Sequence, residues 1–139
     1  MNIIQVDGNI QGSGKSSIIG ALSLYLREKG KKVSYYKPFS SSASEDPDPP
    51  FIASELLGVS APAHPVTPPG GPITPELEQT LKANIEKNAS TSDVLFIEGP
   101  DIDSADGALG QALHGITGGK RILVSRWDKN AQNNLSCNP

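Results

Sequence analysis

Lys15 and Ser16 are the residues best placed to do chemistry, because of what precedes them. The stretch reads Val6-Asp7-Gly8-Asn9-Ile10-Gln11-Gly12-Ser13-Gly14-Lys15-Ser16-Ser17. It follows a short apolar run and opens a long apolar helical pattern. Glycines at 8, 12 and 14 let the backbone approach an anion with its N–H groups turned inward. The start of a helix adds unpaired N–H donors and the positive end of its dipole. Lys15 then brings a point charge to the β and γ phosphates of a nucleotide, and Ser16 brings a hydroxyl to Mg²⁺. The expected phosphate-side contacts are Gly8, Asn9, Gln11, Gly12, Ser13, Gly14, Lys15, Ser16 and Ser17. The spacing is G-x5-G-K-S. Asn9 stands where the commoner G-x4-G-K-S pattern has glycine.

A second set of polar residues falls at strand ends. Lys37 follows Tyr36 and precedes Pro38, and proline stops a sheet ladder, so Lys37 lies at the carboxyl end of its strand. Ligands of open parallel sheets bind at that edge. Glu98 closes the apolar run 94–97 and is followed by Gly99-Pro100. A carboxylate in that position beside a phosphate loop is where Mg²⁺ is held, directly or through water. Glu45, Asp46 and Asp48 sit in a Ser/Pro-rich loop, where acids face either a metal or solvent. Asp93 begins its strand, the wrong end for this role. Residues 101–107 look like a calcium loop but fail its spacing: Ala105 stands at position 5 and Ala112 at position 12, where the bidentate Glu belongs. They read instead as a mobile loop above the phosphates, with Asp101 or Asp103 near ligand. His64 has no His or Cys neighbour, and Cys137 lies in an aperiodic end, so neither reads as a ligand or a nucleophile.

The elements that must position these groups alternate strand and helix. Residues 2–7 read as a buried strand. Residues 15–29 read as a helix whose stripe is Ile18, Leu22 and Leu26, widened by Ile19, with Gly30 as its C-terminal cap. Residues 32–36 read as a second strand and 39–50 as loop. A short helix over 51–57 ends at Gly58, and a Pro/Gly-rich loop covers 59–73. Thr74-Pro75-Glu76 announces a helix with Leu77, Leu81 and Ile85 inward. Residues 93–99 form a strand, 108–114 a short helix and 121–125 a fourth strand.

The totals bound the rest. The chain of 139 residues is read as one domain over 1–128 with an irregular tail over 129–139. A net charge of −3 gives no electrostatic case for nucleic acid or an anionic membrane surface. No apolar run reaches the roughly 18 residues of a membrane span. The first residues lack the basic start of a signal peptide. A single cysteine permits no internal disulfide, which fits a reducing, cytoplasmic location.

Together, G-x5-Gly14-Lys15-Ser16, Tyr36-Lys37-Pro38 and Val94-Leu95-Phe96-Ile97-Glu98-Gly99 resemble the dethiobiotin synthetase-like group of P-loop proteins. The likeness is nearest to the dethiobiotin synthetase-like domain at the N-terminus of some bacterial phosphotransacetylases. Those also carry an Asp-x-Asp segment and a Leu-Gly, matched here by Asp46-Pro47-Asp48 and Leu57-Gly58. The resemblance spans residues 2–128. It implies an α/β fold, a mainly parallel sheet of four strands in the order 2-3-1-4 with helices on both faces. It implies ATP and Mg²⁺ as cofactors, and Lys15 and Lys37 as catalytic residues, Lys37 holding a carbamate and the transferred phosphoryl group. It implies Ser16, Asp46, Asp48 and Glu98 as the metal side of the site. It also implies a small-molecule carboxylate or amine substrate and a two-fold dimer.

Three departures shape the expected function. Asn9-Ile10-Gln11 replaces an acid- or threonine-rich run, and Pro100-Asp101 replaces a glycine-rich substrate turn. The sequence also stops after the fourth strand, whereas the family reads the base with later ones. The expectation is therefore an ATP- and Mg²⁺-binding regulatory or partial domain. One alternative is an ATP-dependent carboxylase-cyclase or amidating synthetase of the dethiobiotin type. The other is a small-molecule kinase, which explains the loop but not Lys37-Pro38. Ile10 stands where partition-type ATPases carry a signature lysine, which disfavours a dimer of that kind.

Overall fold

Alternating residues of one short run decide where the sheet sits. Ile4 and Val6 point to one side, Ile3, Gln5 and Asp7 to the other, and the run forms strand β1, Asn2–Gly8. The computed structural model describes residues 2–9, 12–41, 46–58, 64–101 and 107–126. Helix α1 (Lys15–Glu28), β2 (Val33–Tyr36), a helical turn α2 (Asp48–Pro50), α3 (Pro75–Ala89), β3 (Val94–Asp101), α4 (Gly107–Thr117) and β4 (Lys120–Val124) follow. The sheet order is β2-β3-β1-β4 and every pairing is parallel, as expected. The carboxyl ends of β1 and β3 are level, with Val6 opposite Glu98.

Each face of the sheet carries its own core. Val6, Val33, Tyr35, Val94 and Phe96 pack beneath Ile19 of α1 and Ile52. Tyr36, Leu95 and Ile97 pack beneath Leu81 and Ile85 of α3 and Leu109 and Leu113 of α4. Each such buried side chain contributes about 1.5–3 kcal/mol relative to exposure. Helix α3 starts as its sequence requires: Thr74 Oγ1 accepts from the Leu77 N–H at 3.2 Å, and Pro75 fills the first position.

Several expected boundaries and faces shift. Ile18 of α1 is 41 % exposed, and Ile19, Leu22, Ser23 and Leu26 form the inward face instead. Two adjacent isoleucines allow either phase. Gly20 settles it by lying against Leu56, where an added Cβ would meet Leu56 Cδ1 at 3.1 Å. The expected loop over 39–50 ends early in α2, where Pro49 and Pro50 leave no orphan N–H. The expected helix over 51–57 is a wide π-helical turn, Phe51–Leu56, closed by Leu57 N–H to the Ile52 carbonyl at 3.0 Å. It turns Ile52 and Ala53 inward and leaves Phe51 outside. Lys32 precedes β2 rather than joining it. Its carbonyl accepts from the Asp93 and Val94 N–H groups, and its own N–H donates to Asp93 Oδ2 at 2.8 Å. Helix α4 is longer than expected, and β4 begins and ends one residue early. Gln11, Glu45, Asp103 and the tail with Cys137 lie outside the described residues.

Beside the apolar contacts of α4 the sheet also holds a buried polar group. Asp7 is fully buried and accepts from Gln5 Nε2 at 3.0 Å and from Arg121 Nε. Gln5 Nε2 also donates to the Gly110 carbonyl at 2.8 Å. The ion pair clamps β4 to β1 immediately before the phosphate loop. The Asp7 carboxylate lies over Gly99, where an added Cβ would fall 1.7 Å from Asp7 Oδ1.

Gly99→Ala must therefore displace a buried carboxylate from its partners, at an expected cost of about 3 kcal/mol. Gly115→Ala, on α4 with nothing within 4 Å of the new Cβ, is expected to leave stability unchanged or raise it by up to about 1 kcal/mol. Urea unfolding of the two variants checks the contrast.

Candidate functional site

The phosphate loop follows β1, which ends at Gly8, and α1 begins at Lys15. Gly12 and Gly14 hold φ of 77° and 98°, a region that side chains strongly disfavour. Gly14 caps α1, whose first intrahelical bond runs from Ile18 N–H to the Gly14 carbonyl at 3.0 Å. No side chain caps this helix and no acid lies in its first turn, so its leading N–H groups and dipole face outward, suited to an anion. Lys15 and Ser16 are half-buried on the first turn, and Ser17 is exposed beside them. Asn9 is fully buried. The Ser13 hydroxyl is buried and takes no hydrogen bond among the described residues.

Ser16 is where the two sets of residues from the sequence meet. Its hydroxyl lies 2.7 Å from Asp48 Oδ2 and 3.1 Å from Glu98 Oε1. One hydroxyl proton serves one acceptor at a time. Two anionic oxygens therefore converge on one neutral oxygen. Lys37 Nζ lies among the same groups, 2.7 Å from Asp46 Oδ2, 3.0 Å from Glu98 Oε2 and 3.2 Å from Asp48 Oδ2. Three carboxylates against one ammonium leave a net local charge of −2.

Asp46 stands apart from Ser16. It accepts from Lys37, from Ser40 Oγ at 2.6 Å and from the Asp48 N–H at 3.0 Å, so it orders the loop that carries Asp48. Among the described residues no three acidic, His or Cys side chains form a metal cluster by themselves. The donor set that fits a hard cation is Ser16, Asp48 and Glu98. It matches Mg²⁺, which takes one or two carboxylates and leaves its remaining positions to water and phosphate.

Tyr35 is a member that sequence reasoning missed. Its hydroxyl donates to Glu98 Oε1 at 3.0 Å. Burial, and then the Glu98 charge, hold the phenol far above its ordinary pKa, so it stays a donor. The signal was available: Tyr35 and Lys37 are two apart on an extended chain and share a face. Burial works against the Lys37 charge, but Glu98, Asp46 and Asp48 outweigh it and hold the ammonium above the usual lysine range. Burial also works against the Asp46 charge. The hydrogen bonds from Lys37, Ser40 and the Asp48 amide outweigh it and keep Asp46 below the usual carboxylate range.

No protein-family profile and no curated protein matches the sequence. Solved structures do. Two of the signal recognition particle receptor FtsY from Elizabethkingia anophelis, one in complex with GDP, are 19% and 17% identical, with TM-scores of 0.59 and 0.58 over 97% of this chain. The kinase domain of the Escherichia coli tyrosine kinase ETK is 15% identical, with a TM-score of 0.59 over 98% of this chain. The chimerical protein CapA2B2 is 18% identical, with a TM-score of 0.61 over 98%. The chain spans 44% of the FtsY chains, 60% of ETK and 67% of CapA2B2. At these identities the likeness establishes the fold: a parallel P-loop-type sheet with helices. No helix among the described residues is long and apolar enough to cross a membrane.

The charge balance makes a pH prediction. Lys37→Met removes the ammonium that three carboxylates share and is expected to cost about 2–3 kcal/mol at neutral pH, less than a fully buried pair because the site is partly open. Asp46 is lowered in the folded state, so its contribution is present above the unfolded value near 4 and is lost as pH falls through the folded value. Lys37 is raised, so its contribution is complete below about 10.4 and is lost as pH rises through its folded value. The stability difference between wild type and Lys37→Met is therefore expected to be flat between about pH 5 and 10, and to shrink on both sides. Urea midpoints across pH read it out. A difference independent of pH in acid would remove the carboxylates from the account.

Proposed function

We propose that this chain is a P-loop domain that binds a Mg²⁺–nucleoside triphosphate, with ATP as the nucleotide. The observation that carries the reading is the Ser16 hydroxyl, set on the first turn of α1 between Asp48 and Glu98. Under this reading the backbone of Gly12 to Gly14 and the start of α1 cradle the phosphates, and Lys15 neutralises the terminal ones. Ser16, Asp48 and Glu98 hold the metal, which neutralises phosphate charge when bound. Lys37, held at the edge of that cluster by Asp46, would turn toward the terminal phosphate on binding. FtsY in complex with GDP is one structurally similar protein that carries a nucleotide, which supports the reading.

A second reading is an ATP-dependent synthetase of the dethiobiotin type. The fully charged Lys37 beside the metal donors favours it, because a phosphoryl group in flight needs clustered positive charge. The motif order Gly14-Lys15-Ser16, Tyr36-Lys37-Pro38 and Ile97-Glu98-Gly99 supports it too. A regulatory domain binds nucleotide without product. A synthetase makes ADP faster when a diamine or carboxylic acid is added.

Calorimetric titration of the chain with ATP in Mg²⁺, beside Lys15→Ala and Ser16→Ala, tests the first reading. Lys15→Ala is expected to weaken binding by about 30-fold or more, the loss of a charge-assisted contact. Ser16→Ala is expected to abolish the difference between Mg²⁺ and EDTA. Undiminished binding in Lys15→Ala would place the nucleotide elsewhere.

A further inference from the structure

The phosphate loop is flanked by β3 on one side of β1 and by β4 on the other. Tyr35, Lys37, Asp46, Asp48 and Glu98 all come from β2, β3 and the stretch that runs from β2 into α2. On the other side of β1 lies β4, and its exit is tied to the loop by Asn9. The Asn9 N–H donates to the Val124 carbonyl at 3.1 Å. Its side-chain Oδ1 accepts from the Arg126 N–H at 3.0 Å, and its Nδ2 donates to the Arg126 carbonyl at 3.3 Å. A fully buried amide thus holds both backbone polar groups of one residue across the loop. The glycine of the commoner motif has no side chain with which to do this. Arg126 is itself exposed, and no hydrogen bond or ion pair of its guanidinium is made with the described residues.

The placement of charge gives this clamp a purpose. A triphosphate whose terminal groups lie at Lys15 and Ser16 meets three carboxylates toward β2 and β3, and their like charge disfavours running the remaining phosphates that way. The β4 side is then the favoured direction for the nucleoside. Resting on the nucleotide reading above, we infer that Arg126 is the nucleoside-side contact of the site and that Asn9 is the positioning residue that holds it there. A planar guanidinium stacks on a base and donates to ribose oxygens, which no ammonium does equally well. The departure from the usual loop spacing is thereby a specificity device, coupling phosphate binding to recognition of what the phosphates are attached to.

The test separates the two ends of the ligand. The intact chain is titrated in Mg²⁺ with ATP and with inorganic tripolyphosphate, which has the phosphates and no nucleoside. Arg126→Ala is expected to weaken ATP by about 10-fold and to leave tripolyphosphate within about 2-fold. Arg126→Lys is expected to recover little of the loss. Asn9→Gly is expected to reproduce the selective loss and to speed hydrogen exchange at the Arg126 amide. Lys15→Ala weakens both ligands and reports on the nucleotide reading alone. Equal losses for the two ligands in Arg126→Ala, or none for ATP, overturn the inference while leaving that reading intact. Unchanged exchange at the Arg126 amide in Asn9→Gly overturns the clamp. Failure of wild type to bind either ligand overturns both readings.

Discussion

Ser16 can meet Glu98 only because β1 and β3 run parallel with Val6 opposite Glu98. That register sets the end of one strand beside the loop that leaves the other. The first turn of α1 then delivers a hydroxyl to a carboxylate 82 residues away in sequence. A slip of one residue would turn Glu98 to the opposite face, toward α4, and the cluster would lose its centre. The two cores bury β1 and β3 from both faces at once and hold the strands together at that register. The core is in this sense the positioning device for the polar edge.

That edge is polarised across the sheet. Toward β2 lie three carboxylates, an ammonium and a phenol, with an excess of negative charge that suits a divalent cation. Toward β4 lie a buried amide and two arginines, one spent on Asp7 and the other exposed. Asp7 and Asn9 bracket Gly8 and act on opposite problems. Asp7 pins β4 to the sheet through Arg121, and Asn9 pins the chain after β4 to the loop. The outer side of β4 keeps Ile122 and Leu123 each 38 % exposed, whereas the β2 strand at the other edge is buried.

Much of this was legible because it rests on local rules. Glycines before Lys15-Ser16, a proline after Lys37 and an acid closing an apolar run each mark a strand end without knowledge of the fold. The order 2-3-1-4 came from family resemblance, since four strands alone do not choose an order. The phase of α1 was misread because Ile18 and Ile19 are adjacent, and only contact of Gly20 with Leu56 distinguishes the two. The π turn was hidden because Pro49 and Pro50 move the helix start back to Asp48, a residue otherwise read as loop. The Tyr35 ring belongs to the core. Only the hydroxyl belongs to the site. Asp7 with Arg121, and Asn9 with Arg126, join residues 114 and 117 apart. No pattern within a window reaches that far.

In the proposed function Ser16, Asp48 and Glu98 form the protein side of a metal–nucleotide site. The most direct measurement is a crystal structure with Mg²⁺ and a non-hydrolysable ATP analogue. The expected result is a metal about 2.1 Å from Ser16 Oγ, bridging to a phosphate and reaching Asp48 or Glu98 directly or through one water. Lys37 should then have turned from the carboxylates toward the terminal phosphate. An analogue bound away from α1, or a phosphate at Lys15 with Lys37 still seated among Asp46, Asp48 and Glu98 and no metal at Ser16, would contradict it.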